Sequence, residues 1–201
     1  VIGGHDGSGP TTLSDIQYAK IDQTTGDLGS WTTSTTTITA RWNEGAAAAN
    51  GYMYIIGGCT SGAPPGSCSG QTGVNEKVQV YNNYSASPAS FTSSGSLFTT
   101  DRYGAASAIY NGYMYIAGGC TTATDCTTAT DNVQYAPLNA DGTVGTWANT
   151  TDSTLPAVRT HGQIEVVGGT LYFIGGQTSG STVGQADVYY GTPGSNGDVS
   201  A

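Results

Sequence analysis

Residues 102–119 read RYGAASAIYNGYMYIAGG, and this stretch decides the fold of the chain. Asn111-Gly112 is a pair that tolerates positive φ at both centres of a type I′ turn, so it joins two antiparallel strands tightly. The apolar residues on either side of the turn include three Tyr and two Ile, and aromatic and β-branched residues suit strands. Gly118-Gly119 closes the second strand and allows a close backbone approach that a side chain would block. The stretch therefore predicts a β-hairpin.

The same pattern recurs along the chain. A double glycine ends an apolar strand four times, and three of these strands follow a hairpin turn and an arginine. A third strand is predicted at 15–19, 77–81, 132–136 and 186–190, and a fourth carries Trp31 or Trp147, with Phe91 in that place in the second repeat. The repeated positions are Gly3, Gly4, Gly57, Gly58, Gly118, Gly119, Gly175 and Gly176 for the double glycine, and Arg41, Arg102 and Arg159 for the arginine. We therefore predict an all-β chain built from a repeated four-stranded unit.

These repeats resemble the kelch repeat of kelch-type and galactose-oxidase-like proteins. The resemblance implies a β-propeller, in which four-stranded antiparallel blades are set radially around a central channel. It divides the chain into a partial blade at 1–40, full blades at 41–100 and 101–158, and a partial blade at 159–201. The first piece lacks its first strand, and the last lacks a convincing fourth. Trp31 and Trp147 are expected to fill the space between adjacent blades.

Two full blades and two partial ones are too few to close a propeller, which needs roughly four to eight. End blades would also expose their edges and faces, which favours aggregation. We therefore expect this chain to be part of a longer one that supplies the remaining blades, or a protomer that completes a ring with copies of itself.

The charge of the chain argues against a polyanionic partner. The net charge is −9, with only five Lys and Arg residues in the 201. Nucleic-acid binding needs a basic surface that displaces counterions from phosphates, and such a surface is not encoded here. No apolar run is long enough to cross a bilayer.

The four cysteines form two close pairs, Cys59/Cys68 and Cys120/Cys126, and each pair begins directly after a double glycine. Their spacings match neither zinc knuckles nor the CxxC redox motif. We expect disulfides that close the loop between the second and third strands, while free thiols and a metal site stay open as alternatives. Because disulfides persist outside the reducing cytosol, they predict an exported protein, either secreted or displayed on the cell surface.

Candidate catalytic groups are sparse. The two histidines are His5, in a loop beside Asp6, and His161, at a position where the kelch pattern commonly has His. Galactose-oxidase-like enzymes bind copper through Tyr and His, and two histidines at unrelated repeat positions do not supply such a site. Two segments, 27–31 and 141–147, begin with Asp, contain Gly and end at Trp31 and Trp147. They resemble sialidase Asp-boxes only superficially, and they indicate hairpin turns. We therefore expect no catalytic centre and no cofactor in this segment.

Two weaker candidate sites remain. Loop aspartates could bind calcium, although no EF-hand or RTX spacing occurs; they are Asp101, Asp125, Asp131 and Asp152. Asn83 and Asn149 begin glycosylation sequons, which matter only if the source glycosylates them.

The longest loops follow the double glycine, at about 59–75 and 120–131, and long loops on a rigid scaffold are where recognition usually resides. We therefore expect a non-catalytic binding module for a protein or glycan, acting through these loops. Two alternatives stay open. One is a structural subunit of a surface layer or filament, and the other is a segment of a carbohydrate-active or oxidase-type enzyme whose active site lies elsewhere.

Overall fold

The computed structural model describes residues 1–7, 11–63, 67–70, 75–79, 91–95, 98–122, 126–151 and 154–200. The described part is all-β and contains no helix. It holds three four-stranded antiparallel sheets and two two-stranded ones. Among the predicted features, Asn83, Asp125 and Asp152 lie outside the described residues.

The strands occur in the order that the repeats predict. Sheet 1 pairs β1 (Gln17–Tyr18) with β2 (Thr32–Thr33), and Ile2 forms a bridge with Ile16. Sheet 2 contains β3 (Gly45–Ala49), β4 (Tyr52–Ile56), β7 (Asn75–Gln79) and β8 (Thr92–Ser93), and the hairpin β5 (Gly62–Ala63) to β6 (Ser67–Cys68) lies in its loop. Sheet 3 contains β9 (Ala106–Tyr110), β10 (Tyr113–Ala117), β11 (Val133–Pro137) and β12 (Ala148–Asn149). Sheet 4 contains β13 (Gln163–Val167), β14 (Thr170–Ile174), β15 (Val188–Pro193) and β16 (Val199–Ser200).

The hairpin turns have the predicted backbone. Asn111 and Gly112 have φ angles of 48° and 79°, so both central residues are left-handed, as a type I′ turn requires. Asn50 and Gly51 repeat these values at 52° and 78°. Tyr113 then lies opposite Tyr110 in the ladder between β9 and β10. The turn therefore sets the register of the two strands.

In the second and third repeats the arginine is bound to the double glycine of the same repeat. The side chain of Arg41 is fully buried and donates from Nη1 to the Gly57 carbonyl at 2.8 Å. Arg102 makes the same contact with the Gly118 carbonyl at 3.0 Å. Burial lowers the pKa of Arg102 to about 10, so the group remains charged at neutral pH. These arginines satisfy carbonyls that would otherwise be buried without partners.

In the first three pairs, the second glycine joins one repeat to the next. The N–H of Gly58 donates to the carbonyl of Arg102 at 3.1 Å, and the N–H of Gly119 donates to the carbonyl of Arg159 at 2.8 Å. Gly4 makes the equivalent bond to Arg41 at 2.8 Å. An arginine such as Arg102 therefore binds the double glycine of its own repeat through its side chain and that of the preceding repeat through its carbonyl.

Arg159 departs from this arrangement. Its Nη2 contacts Asp187 Oδ2 and Tyr189 Oη, each at 2.5 Å, in place of a glycine carbonyl. The guanidinium also lies over the Tyr189 ring, 5.1 Å from its centroid. In sheet 4 the carboxylate of Asp187, directly before β15, thus binds the arginine, and in sheet 3 Oδ1 of Asn132, directly before β11, accepts from Arg102 Nη2 at 3.0 Å.

Apolar clusters fill the spaces between consecutive sheets. Trp147 is 5% exposed and packs edge-on against Phe98, with ring centroids 5.7 Å apart, between sheets 2 and 3. Phe91 packs between sheets 1 and 2, as its place in the second repeat predicts. Trp31, by contrast, is 55% exposed. Trp147 packs on the sheet before its own, and no such sheet precedes sheet 1 in the described part of the chain.

The last repeat also differs from the prediction. The sequence showed no convincing fourth strand there, but Val199 and Ser200 pair with Pro193 and Thr192 to complete sheet 4. Val199 is buried in the cluster between sheets 3 and 4. Burial of the Val199 side chain explains why this strand forms. The strand is too short to show a periodic pattern in the sequence.

Each end of the array carries an exposed apolar face. On sheet 4, Ile174, Val188 and Tyr190 point away from sheet 3, and Tyr190 is 71% exposed. On sheet 1, Leu28 and Trp31 are exposed as well. In sheet 2, Tyr54 and Ile56 occupy the strand positions of Tyr172 and Ile174 and are buried against sheet 3. The exposed face of sheet 4 is therefore the counterpart of a surface that is covered in sheet 2.

Candidate functional site

A polar cavity of about 270 Å³ lies where the first strands of three repeats begin. β9 packs between β3 and β13, and each of the three is the end strand of its sheet. The residues at the start of these strands form the walls. Small residues lining it are Gly45, Ala46, Gly104, Ala105, Ala106 and Gly162, and the polar side chains are Asn43, Glu44, Ser107, His161 and Gln163.

One backbone conformation recurs two residues after each arginine and shapes this cavity. Asn43, Gly104 and His161 have φ angles of 51°, 61° and 56°. Among residues with side chains, Asn and His are enriched in this left-handed region, and Gly enters it freely. The Gly104 N–H donates to the Asn43 carbonyl at 2.9 Å, and the His161 N–H donates to the Gly104 carbonyl at 2.7 Å. Three repeats are thus tied together at one point.

Side chains join the same three repeats. Nδ2 of Asn43 donates to Nε2 of His161 at 2.8 Å, which assigns the ring proton to Nδ1. That nitrogen lies 3.1 Å from Thr160 Oγ1. His161 is open to solvent through the cavity, yet the protein around it lowers its pKa by desolvation. The imidazole is therefore neutral near pH 7, as a hydrogen-bonded structural histidine should be.

Glu44 lines the edge of the cavity, but its carboxyl lies towards sheet 1, where Oε1 is 2.7 Å from the position of a Cβ added at Gly3. Its Oε2 is buried and has no hydrogen-bond partner among the described residues. Burial raises the pKa of Glu44, against the opposing effects of its own backbone N–H and the charge of Arg41. An unpartnered buried carboxyl oxygen is costly, and this one has no surface open to the cavity.

The remaining polar groups are neutral. The Ser107 hydroxyl lies over Gly45, where an added Cβ would come within 2.6 Å of Oγ, so the glycine makes room for it. Gln163 is exposed at the start of β13. Together with Asn43, these residues provide both donors and acceptors to one small volume.

The disulfide loops lie on the same side of the sheets as the cavity. Both predicted disulfides form, with Cα atoms 5.8 Å apart for Cys59–Cys68 and 5.2 Å apart for Cys120–Cys126. Cys59 forms an antiparallel bridge with Trp42, directly before the cavity residue Asn43. The first residue of this loop is thus paired with the segment that lines the cavity.

The two disulfides and two aromatic rings form one buried cluster. Trp42 and Tyr103 pack with ring centroids 5.7 Å apart, among the four half-cystines. Tyr103 also meets His161 edge-on at 6.3 Å. The third-repeat loop contacts that of the fourth, since the Gly180 N–H donates to the Cys126 carbonyl at 2.8 Å. From the sequence we expected these loops to bind a partner. In the structure, their disulfides pack beside the residues that line the cavity.

The other predicted site residues lie apart from the cavity. His5 accepts a hydrogen bond at Nδ1 from the Gly7 N–H within its own loop. Oδ1 of Asn149 accepts from Gln134 at 2.8 Å and from Asn132 at 3.0 Å, so this sequon residue is engaged within sheet 3. Among the described residues, no group of three or more His, Cys, Asp or Glu side chains is placed to hold a metal ion.

Sequence reasoning missed four of the five polar cavity residues, namely Asn43, Glu44, Ser107 and Gln163. The available signal was the repeat itself, because the residues that follow each arginine by two to five positions differ between repeats while the arginine and double glycine do not. Variable side chains on an invariant frame are typical of a binding surface.

No protein-family model and no curated protein sequence matches this chain. Its fold is similar to that of a solved structure titled "Structure of YjhT", with a TM-score of 0.64 and 15% sequence identity. The match covers 90% of this chain and 50% of that one, so the chain spans half the length of the structure it resembles. In the described part, no helix is long and apolar enough to cross a membrane. At this identity the likeness shows the fold alone.

Proposed function

We propose that sheets 1 to 4 are consecutive blades of a kelch-type β-propeller. Three features support this reading: the first strands lie side by side, the double glycine of one repeat bonds to the arginine of the next, and the apolar clusters lie between consecutive sheets. Further blades of the same kind, from a longer chain or from copies of this one, cover the exposed faces of sheets 1 and 4. The cavity is then the mouth of the central channel.

The protein works outside the cytosol, secreted or at the cell surface. The two disulfides support this, because short disulfide-closed loops persist in oxidising compartments. Lysine and arginine together account for five of 201 residues, and the surface is rich in Thr, Ser and Gly, which also suits an extracellular protein.

The protein acts as a non-catalytic binding module for a glycan. The observation that carries this proposal is the polar cavity at the start of β3, β9 and β13. Its volume of about 270 Å³ lies near the small end of ligand pockets, which begin at about 300 Å³, so it suits one or two sugar rings better than a folded protein surface. The amide and hydroxyl groups that line it are groups that hydrogen-bond sugar hydroxyls.

A glycan array probed with the oxidised protein tests this function, followed by calorimetric titration of the glycans that bind. Gln163→Ala removes a neutral cavity group from an exposed position and should weaken binding about two- to tenfold, as expected when a ligand hydroxyl loses its hydrogen bond. Gln23→Ala, at an exposed turn in sheet 1, is the matched control and should change nothing. Absence of any glycan binding, or equal effects of the two substitutions, would contradict the proposal.

A further inference from the structure

Exposed apolar side chains are concentrated on the outer faces of the two end sheets. In the described part of the chain, seven of the nine exposed large apolar side chains lie there. On sheet 4 they are Val167, Ile174, Val188 and Tyr190, and on sheet 1 they are Ile21, Leu28 and Trp31. A contiguous apolar face of this kind marks an interaction surface.

The outer face of sheet 4 matches a face that is covered in sheet 3. The strand registers place Tyr110, Ala117, Val133 and Tyr135 of sheet 3 at the positions of Val167, Ile174, Val188 and Tyr190. These sheet 3 side chains belong to the apolar cluster between sheets 3 and 4 or pack against it. The outer face of sheet 4 is therefore built like the face of sheet 3 on which sheet 4 packs.

The outer face of sheet 1 matches the opposite face of sheet 3. Ile21 and Leu28 form an isolated bridge, as Leu138 and Val144 do, and a tryptophan follows three residues after the second member of each pair. In sheet 3, Val144 and Trp147 are buried in the cluster shared with sheet 2, and Leu138 packs against it. The outer face of sheet 1 is therefore built like the face of sheet 3 that packs on sheet 2.

A turn glycine provides a further element of the contact between consecutive sheets. Gly142 of sheet 3 lies on the ring of Tyr52 in sheet 2, where an added Cβ would come within 2.6 Å of Cδ1. Gly26 occupies the same place in the turn of sheet 1, with φ of +79° against +78° for Gly142, and has nothing within 4 Å of an added Cβ. On sheet 4 the position of Tyr52 is held by the smaller Thr170, which leaves room for this turn.

One charged side chain lies on the outer face of sheet 4. Glu165 is exposed and occupies the position of Ala108, which is buried between sheets 3 and 4. In sheet 3 this position lies on β9, the strand that packs against the first strand of sheet 4. The strands of sheet 1 that the structure describes are the third and fourth of the repeat, so neither lies against Glu165 when the two outer faces meet. The carboxylate then stays in water.

We infer that the outer face of sheet 4 binds the outer face of sheet 1 in a second copy of this chain, head to tail. The contact repeats the packing of sheet 2 on sheet 3, and the inference rests on the proposed arrangement of the sheets as blades. Two different faces meet, so the interface is heterologous and each copy has one face free for a further contact. Because the contact is between chains, it dissociates on dilution, and sheets 1 to 4 alone then set the stability of the separate chain.

Sedimentation equilibrium of the oxidised chain over a range of concentrations tests the inference. The parent should associate reversibly into species of two or more copies. Tyr190→Asp on sheet 4 and Leu28→Asp on sheet 1 each place a charge in the contact and should weaken association at least about tenfold. Both side chains are exposed in the separate chain, so an unchanged urea midpoint at dilution checks that each variant folds. Ala140→Asp adds the same charge to an exposed turn of sheet 3 and should leave association unchanged.

Mixing the two face variants tests which faces meet. The Leu28→Asp chain keeps an intact sheet 4 face and the Tyr190→Asp chain keeps an intact sheet 1 face, so an equimolar mixture should form a one-to-one complex that grows no further. Failure of the mixture to associate would overturn the inference, because non-specific aggregation is not restored by mixing. Full association of either variant alone would overturn it as well, since that face would then bind itself.

A substitution that fills the contact provides the opposite readout. Thr170→Tyr supplies a ring at the place where Tyr52 meets Gly142 in the internal contact, so it should tighten association at least about threefold. A parent chain that stays monomeric at every concentration would refute the inference. That result would leave glycan binding standing, because no sugar enters the measurement, and an absence of glycan binding would likewise leave the association standing.

Discussion

Replacing Gly118 with alanine tests whether the double glycine joins one repeat to the next. Gly118 has φ of +66°, and an added Cβ would lie 2.3 Å from the carbonyl oxygen of Arg159. That oxygen accepts the Gly119 N–H at 2.8 Å, which is the bond between sheets 3 and 4. The new methyl group must therefore push the two repeats apart at their point of attachment.

The magnitude follows from two contributions. Holding alanine in the left-handed region costs about 1–2 kcal/mol, partly offset by the lower entropy of the unfolded alanine chain. Displacing the Arg159 carbonyl adds about 0.5–1.5 kcal/mol for the weakened hydrogen bond and about 1 kcal/mol or more for the strained packing. Gly112→Ala is the matched control, because Gly112 has φ of +79° and nothing within 4 Å of an added Cβ. We expect Gly118→Ala to lower the free energy of unfolding by about 2 kcal/mol more than Gly112→Ala does.

Urea unfolding of the oxidised protein, followed by tryptophan fluorescence, measures both variants against the parent. The midpoints should differ while the slope with denaturant stays the same, since the surface exposed on unfolding is unchanged. Equal losses in the two variants would refute the reasoning, because both would then reflect backbone conformation alone.

Three further predictions concern the packing, the loops and the cavity. Trp147→Ala should lower the free energy of unfolding by about 3–5 kcal/mol, and Trp31→Ala by under about 1 kcal/mol, since the first side chain is 5% and the second 55% exposed; similar losses in urea unfolding would contradict the packing described. Replacing Cys59 and Cys68 with serine should cost about 2–3 kcal/mol for a bridge of sequence separation 9, and an unchanged urea midpoint would count against it. Burial raises the folded-state pKa of Glu44, so the stability it contributes is full below its unfolded pKa and is lost as pH rises through the folded pKa. Glu44→Gln should therefore become increasingly more stable than the parent as thermal melts move from about pH 4 to pH 8, and a constant difference would show that the carboxyl is not desolvated.

Local backbone requirements made much of the fold predictable. Asn50-Gly51 and Asn111-Gly112 need left-handed conformations at both residues, and few other dipeptides supply them. The double glycine before Cys59 likewise has φ angles of 61° and 99°. Where a backbone conformation restricts which residue types can occur, the spacing of those residues in the sequence gives the spacing of turns and strands directly.

Features that depend on distant partners were not predictable in the same way. Trp31 and Trp147 occupy equivalent positions in the repeat, yet they differ in exposure because only one has a preceding sheet to pack on. β16 has two residues, too few for alternation to be seen. Both outcomes are set by tertiary packing, which a local pattern does not contain.

The cavity was not predicted from the sequence because β3, one of the strands that line it, has a sequence that is not typical of a strand. β3 has the sequence GAAAA, and alanine is depleted in strands, so pairing with β4 rather than propensity holds it in the sheet. The same short side chains leave space beside an end strand that carries backbone groups without a ladder partner on one edge. The short side chains of β3 therefore weaken the strand signal in the sequence and also leave the space that forms the cavity. The buried arginines complete this arrangement, since Arg41 and Arg102 bind carbonyls of the scaffold and leave uncharged side chains such as Ser107 to line the cavity.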